Sequence, residues 1–303
     1  MKERKAAKRK IKNPVEDRIL YAVVYTIIIL FLIAILYPVI FIISSSFSDG
    51  EALQRGEVLL LPVKPTLDGY KAVFNHGSIM IGYRNTIFYT VFGTIINVAM
   101  TVICAYPLSR RDMPFRGFFM LLFVITMFFG GGLIPMYLLV NSLGLMNTVW
   151  ALLLPGALGV YNMIITRTFF QNSVSKELLE AAQIDGCSDA RYFFAILLPL
   201  SKAVISVIGL YYAVGHWNSY FSALIYIRDE NLQPLQLILR TILVASRVDM
   251  NEFTDPDLME GKLGLEYLLK FALIVVSTAP IMCLYPFIQK FFEKGVMLGS
   301  VKG

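Results

Sequence analysis

The sequence predicts an all-α integral membrane protein with six transmembrane helices, and two observations support this prediction: its composition and its long runs without charge. Of the 303 residues, 57% are hydrophobic and only 16% are charged, and the mean hydropathy is +0.66. Soluble domains are about half apolar and about a quarter charged. The composition therefore argues against a soluble globular protein.

Five charge-free runs are each long enough for a membrane-spanning helix, which needs about 18 residues or more. One run, 117–166, has 50 residues and would be about 75 Å long as one helix, far more than the hydrocarbon core of about 30 Å. Because turn-forming Asn, Ser and Gly occur at 141–147, we expect the run to fold back there. The predicted spans are 19–43, 84–108, 117–140, 148–169, 203–227 and 271–290.

The basic residues predict the orientation of these spans. An even number of spans places both termini on one side, and the first 18 residues carry eight of the 27 Lys and Arg. The positive-inside rule makes that side cytoplasmic. We therefore expect a basic cytoplasmic N-terminus over 1–18, a six-helix transmembrane domain over 19–290 and a cytoplasmic tail over 291–303. The net charge of +6 fits contact with anionic membrane lipids and indicates no nucleic-acid partner.

The first span is expected to remain in the protein as a helix. Its apolar stretch of about 25 residues is longer than the roughly 7 to 15 of a signal peptide, and no small-x-small cleavage site follows it. The three cysteines are too scattered to indicate a disulfide or a metal site.

Catalytic motifs are absent from the sequence. It contains no phosphate-binding loop, no zinc-protease motif and no nucleophile elbow. The Gly130–Gly132 run lies in an apolar span, where close helix approach or an unwound turn is expected rather than a phosphate cradle. His76 and His216 have no acidic neighbour in the sequence. We therefore predict no catalytic, metal or cofactor site on this chain.

The predicted span centres carry no charged residue, although carriers driven by protons or ions usually place one there. A self-powered carrier is disfavoured on this ground, but sodium coupling through backbone carbonyls would escape the test. If the protein transports a solute, its energy is expected to come from another subunit.

The cytoplasmic segment 171–199 is the most informative part of the sequence. Good helix formers fill 176–185, Gly186 suits a left-handed helix end, and Ser188 can cap a second helix that ends at a proline. Small residues flanked by carboxylates would let a partner surface approach closely. The alternative is an amphipathic connector lying on the membrane. The candidate contact residues are Glu180, Ala181, Ala182, Asp185 and Gly186.

This segment resembles the EAA loop of permease subunits of bacterial ABC importers. The motif consists of Glu180-Ala181-Ala182, Gly186, Ile196 and Leu198-Pro199. The resemblance implies the type I ABC importer permease fold in the bacterial plasma membrane. It also implies that the loop inserts into a cleft on a separate ATPase subunit, which would bind the ATP and Mg and hydrolyse the ATP. This chain would then be no enzyme.

Further stretches resemble carbohydrate importers of the maltose-permease type, and the likeness covers essentially the whole chain. It implies as partners a second homologous permease subunit, two ATP-binding-cassette subunits, an extracellular solute-binding protein and an oligosaccharide substrate. A weaker likeness, over 130–145 and 232–240, points to importers of complex or uronate-containing oligosaccharides. The family-like stretches are 59–70, 84–86, 105–111, Trp217-Asn218 and 299–303.

Two other functions remain open on the sequence: a secondary carrier or channel that needs no ATPase, and a membrane scaffold or receptor. The EAA-like loop favours the importer over both. The C-terminal tail, 293–303, is expected to reach toward the ATPase, with a frayed tail as the alternative.

A sugar path needs hydrogen-bonding side chains beside aromatic rings. Trp217, Asn218 and Tyr220 are expected near the outer mouth, and Tyr161 and Asn162 nearer the middle of the membrane. The alternative is that the aromatic residues anchor the protein at the membrane surface and that the asparagines join helices.

Overall fold

The computed structural model describes residues 15–248 and 264–283, and these residues form helices without any strand. The tail 291–303 and the end of the predicted sixth span lie outside them. The helices are α1 (Val15–Ser46), α2 (Gly50–Gln54), α3 (Asp68–Asn75), α4 (Gly77–Ser109), α5 (Arg116–Phe128), α6 (Leu133–Ser142), α7 (Trp150–Leu153), α8 (Val160–Ser173), α9 (Lys176–Ile184), α10 (Asp189–Tyr192), a π-helical turn (Phe193–Leu197), α11 (Leu198–Leu200), α12 (Lys202–Trp217), α13 (Phe221–Tyr226), a 3-10 turn (Glu230–Leu232), α14 (Leu235–Val248) and α15 (Gly264–Cys283).

The chain divides into two compact units, Met1–Gly69 with Asp255–Ala272 and Tyr70–Thr254 with Leu273–Gly303. In the first unit, the 32 residues of α1 extend about 48 Å. No residue in the most apolar part of α1 is buried, which fits contact with lipid. The predicted first span, 19–43, lies within this helix.

In the second unit, α4 is the helix on which the others pack. Its 33 residues extend about 50 Å, and α8, α12 and α14 all contact it. The core includes Val102 and Ala105 of α4, Met163 of α8 and Ile208 of α12. The second span, predicted over 84–108, lies within α4 and is confirmed.

The third predicted span, 117–140, is not one straight helix. The chain bends by 111° between α5 and α6 because Phe129–Gly132 leaves the helix and Gly132 takes a left-handed φ of 86°. Glycine adopts such a φ at little cost and weakens a helix interior. The expectation of an unwound turn at the three glycines is confirmed. The turn expected at 141–147 is also present, with positive φ at Gly144 and Asn147.

Two further spans predicted as continuous helices are interrupted. The span 148–169 breaks between α7 and α8, where Pro155 and Gly156 disfavour helix. The span 203–227 ends early, because α12 stops at Trp217 and a turn leads into α13. There Asn218 Nδ2 donates to the carbonyl of Val214 at 3.0 Å.

Three described helices, α1, α4 and α15, are individually long and apolar enough to cross a membrane. The count rises to five if each sharply bent helix pair is one span. The second such pair bends by 79° between the segment Asp189–Leu200 and α12. The count of six and the cytoplasmic location of both termini stay predictions.

Neutral polar groups join α4 to its neighbours. Asn97 of α4 pairs through Oδ1 with His216 Nε2 at 2.6 Å and donates through Nδ2 to the carbonyl of Gly156 at 2.5 Å. A second link joins Thr101 Oγ1 to the Tyr212 hydroxyl at 2.7 Å. These bonds tie α4 to α12 and to the break that precedes α8.

We predict that Gly93→Ala destabilises the protein. A Cβ at this position would lie 2.4 Å from His216 Nε2, so the imidazole would have to move away from Asn97. A buried polar group left without its partner costs about 1 to 3 kcal/mol. Thermal unfolding in detergent measures the effect. Gly215→Ala is the matched control, because a Cβ there meets nothing within 4 Å. Equal melting temperatures for the two variants would contradict the prediction.

Candidate functional site

The five candidate contact residues lie together at the end of α9. Glu180, Ala181, Asp185 and Gly186 are exposed. Ala182 is buried, with 8% of its surface accessible, and belongs to the hydrophobic core. Ala182 therefore faces the rest of the chain, while the other four residues present an open surface.

The sequence predicts the backbone around this surface correctly. α9 ends where Gly186 takes a φ of +72°, and the amide of Cys187 donates to the carbonyl of Ala182 at 2.9 Å. Ser188 then caps α10, because its Oγ accepts a hydrogen bond from the amide of Arg191 at 3.3 Å. Two helices separated by a glycine stop are thus confirmed. The sequence predicts that this second helix ends at Pro199, whereas the helical segment passes the proline and ends at Leu200, directly after a π-helical turn.

A cavity of about 610 Å³ is lined by α9 and by the ends of α4 and α8. α9 lines it with Leu179, Glu180 and Gln183, and α4 lines it with Tyr106. The cavity also carries several arginines, and α9 therefore faces a basic wall. These residues are Arg110, Arg111, Arg116 and Arg167.

Side chains from other helices satisfy the last carbonyl groups of α4. Arg167 Nε donates to the carbonyl of Leu108 at 2.8 Å, and Gln171 Nε2 donates to that of Ser109 at 3.2 Å. The carbonyl of the next residue accepts from Arg116 at 3.2 Å. Cationic donors suit a helix C-terminus, which has free carbonyls and partial negative charge.

Arg110, directly after α4, contacts three residues through its side chain. Its guanidinium forms two bonds to Asp112, at 2.9 and 2.5 Å, and one to the Tyr106 hydroxyl at 3.0 Å. It also donates to Asp189 at the start of α10. The guanidinium lies over the Tyr106 ring, 5.8 Å from its centre, and Tyr106 stacks on Tyr192. The end of α4 is thereby attached to the helix that follows the candidate contact surface.

Arg110 and Asp112 each stabilise the charged form of the other, and their pKa values shift accordingly. The hydrogen bond that Arg110 donates to Asp112 is the main cause that raises the pKa of Arg110 above its ordinary value. In return, the bond from Arg110 lowers the pKa of the Asp112 carboxyl. Asp112 therefore stabilises the fold above the ordinary Asp pKa, and this contribution is lost as the pH falls through the lowered value.

Sequence reasoning missed this cluster. It used Arg110 only as a basic residue on the cytoplasmic side and as part of a family-like stretch. The partner, Asp189, is 79 positions away in the sequence, and no local spacing connects the two. The one available signal is that a charged residue directly follows an apolar span and precedes a carboxylate by two positions.

The residues expected on a sugar path occupy two places. Trp217 is buried and its Nε1 donates to the carbonyl of Ser277 at 3.0 Å, with the Tyr83 ring packed edge-on against it. Asn218 and Tyr220 follow it and are exposed.

Tyr161 and Asn162 lie at the start of α8. The Tyr161 side chain is 64% exposed, whereas Asn162 is half-buried. Within residues 15–248, no hydrogen bond or ring contact joins these two to the residues around Trp217.

Comparisons with known proteins agree with this architecture. Residues 76–298, most of the chain, match the family described as "Binding-protein-dependent transport system inner membrane component". The chain is 40% identical over 291 residues to the polygalacturonan/rhamnogalacturonan transport system permease protein YtcP of Bacillus subtilis (strain 168), covering 95% of this chain and 100% of that protein. It is 43% identical over 266 residues to protein LplC of the same organism, covering 88% and 89% of the two chains.

A solved structure shares the fold. The crystal structure of a bacterial ABC transporter involved in the import of the acidic polysaccharide alginate contains a chain that matches with a TM-score of 0.84 and 32% sequence identity, covering 93% of this chain and 100% of that chain. Both the fold and the resemblance inferred from the EAA-like loop are therefore confirmed. The chain belongs to the family of inner membrane components of binding-protein-dependent transport systems.

Proposed function

We propose that this chain is a transmembrane permease subunit of an ATP-binding-cassette importer that moves an oligosaccharide across the bacterial plasma membrane. The observation that carries the proposal is the exposed end of α9, whose glycine stop at Gly186 has the left-handed φ that the EAA-like motif requires. Relatives that are sugar-transport permeases support the same assignment. ATP hydrolysis then takes place on a partner subunit.

The exposed surface at the end of α9 is the proposed ATPase contact. Gly186 has open space around its α-carbon, with nothing within 4 Å of a built Cβ. A partner surface can therefore approach the backbone closely there, with the carboxylates of Glu180 and Asp185 beside it. Ala181 contributes a second small exposed side chain, and Ala182 anchors α9 to the core behind the surface.

The remaining partners follow from the importer assignment. They are a second homologous permease, two ATPase subunits that hold ATP and Mg, and an extracellular binding protein that delivers the sugar. The exposed apolar length of α1 is proposed to contact membrane lipids. The substrate class is proposed to be an oligosaccharide with uronate residues, because the relatives include permeases named for polygalacturonan and a transporter of alginate.

The sugar path is proposed to pass the break between α7 and α8. Irregular backbone at membrane depth is tolerated only where protein buries it or where it lines an aqueous cavity. Leu154, Pro155 and Gly156 are exposed in this chain, and Tyr161 follows them with an exposed ring. Tyr161, Asn162, Asn218 and Tyr220 are the proposed path residues. Trp217, which directly precedes Asn218, is proposed to fix this end of α12 through its bond to Ser277.

Substitutions at Gly186 test the coupling proposal. A left-handed φ costs a side-chain-bearing residue about 1 to 2 kcal/mol, but Asn tolerates this φ better than Leu. We expect Gly186→Leu to abolish ATP-driven uptake and co-purification of the ATPase. Gly186→Asn should keep the loop folded yet still lose most ATPase binding, because its side chain occupies the space that the partner needs.

The control for this series is Cys187→Ser, which changes the next residue without changing the glycine. Full uptake by Gly186→Leu would refute the coupling surface. Uptake by wild-type protein without any ATPase would instead favour a secondary carrier or channel.

The buried Trp217 and the exposed Tyr161 should respond differently to truncation. Trp217→Ala removes a buried ring, and loss of such a ring costs about 3 to 5 kcal/mol, so a lower melting temperature is expected. Tyr161→Ala should leave the melting temperature nearly unchanged and raise the sugar concentration needed for half-maximal uptake about tenfold, since a contact worth about 1.4 kcal/mol corresponds to that factor. Unaltered concentration dependence in Tyr161→Ala, with intact assembly, would remove Tyr161 from the path.

A further inference from the structure

We infer that Arg110 is a positioning residue that transmits movement of the loop 171–199 to α4 through its ion pair with Asp189. The inference rests on the proposed function, in which an ATPase pulls or pushes this loop. It assigns a mechanical role to a residue outside the motif that contacts the ATPase.

The Arg110 side chain is held in one position by several contacts. Only 12% of its side chain is exposed, and it meets Asp112, Tyr106 and Asp189 at once. Asp112 and Tyr106 belong to the same stretch of chain as Arg110 and hold the guanidinium in place. Asp189 is the one of these three partners that belongs to the loop. A displacement of the loop therefore acts on Arg110 through Asp189.

The loop has both an apolar and a charged connection to α4. Ala182 of α9 packs in the core that contains Ala105 and Leu108 of α4, whereas the polar side of α9 lines a cavity of about 610 Å³ beside the end of α4. At the rim of the cavity, Arg110 meets Asp189 and Tyr106 packs on Tyr192 and Phe193. These contacts give the loop a route to α4 that does not cross the cavity.

α4 can pass the movement on because it is joined to the rest of its unit. The pair Asn97 and His216 and the pair Thr101 and Tyr212 link it to α12. Arg167 and Gln171 link its last turn to α8. A shift of the α4 end would therefore reach both helices.

The other explanation is that the Arg110–Asp189 pair merely stabilises the fold. Asp189 has 65% of its side chain exposed, and ion pairs with such exposure contribute little stability, typically below about 1 kcal/mol. Loss of the Asp189 charge should then leave the melting temperature nearly unchanged under either explanation. A change in the ratio of sugar imported to ATP hydrolysed is expected only if the pair transmits movement.

The test uses the assembled transporter in proteoliposomes with its binding protein. Asp189→Asn removes the charge that joins the loop to Arg110. Glu51→Gln is the matched control, because it removes an exposed carboxylate from an ion pair that involves neither the loop nor Arg110. We expect Asp189→Asn to lower the import-to-hydrolysis ratio about fivefold or more, the size of a typical coupling between sites. Glu51→Gln should change this ratio by less than about twofold, and Asp189→Glu, which keeps the charge, should retain most of it.

A double substitution completes the test. If the two residues act through each other, Arg110→Gln with Asp189→Asn should be no worse than Arg110→Gln alone. An unchanged ratio in Asp189→Asn, or an equal loss in Asp189→Asn and Glu51→Gln, would overturn the inference. Failure of the proposed function would appear separately, as ATP-independent uptake or absent ATPase binding in the wild-type transporter.

Discussion

The architecture depends on one constraint: in a hydrocarbon environment every backbone N–H and C=O group needs a partner within the protein. The interruption between α7 and α8 meets it with side chains from other helices. The carbonyl of Gly156 accepts from Asn97, and the amide of Gly159 donates to the Tyr212 hydroxyl at 3.0 Å. Without these polar side chains on α4 and α12, a broken helix at this depth would leave its backbone groups unpaired.

The same constraint explains the end of α4. Its last carbonyls are satisfied by Arg167, Gln171 and Arg116, so the cations that the positive-inside rule places at a membrane surface also complete a helix. Basic residues there complete the helix end, and in the predicted orientation they also mark the cytoplasmic side. Because Arg167 and Gln171 lie on α8, which leads directly into α9, the end of α4 and the base of the loop are fixed to each other.

Much of the fold could be predicted from the sequence, because apolar length and turn-forming residues act locally. The second span, the turn at 141–147, the unwound Gly130–Gly132 segment and the glycine stop at Gly186 all depend on neighbouring residues. The break between α7 and α8 was missed although Pro155 and Gly156 are a local signal for it. The break after Trp217 was missed because the partner of Trp217, Ser277, lies on a helix distant in sequence. The contact between Arg110 and Asp189 was missed for the same reason, because the two residues are 79 positions apart in the sequence.

The distribution of charge suits a protein that is moved by another subunit. Within the second unit, α4 is linked to α12 by neutral hydrogen bonds, which can shift or exchange without separating unlike charges in a medium of low dielectric constant. The charged contacts to Asp112 and Asp189 lie after α4, at the edge of the loop. An ion pair at that edge holds its geometry at low desolvation cost because Asp189 remains solvated. A permease that is moved by another subunit needs rigid contacts at the loop that the other subunit displaces. It also needs contacts that can exchange between the helices that rearrange, and neutral hydrogen bonds meet this second need.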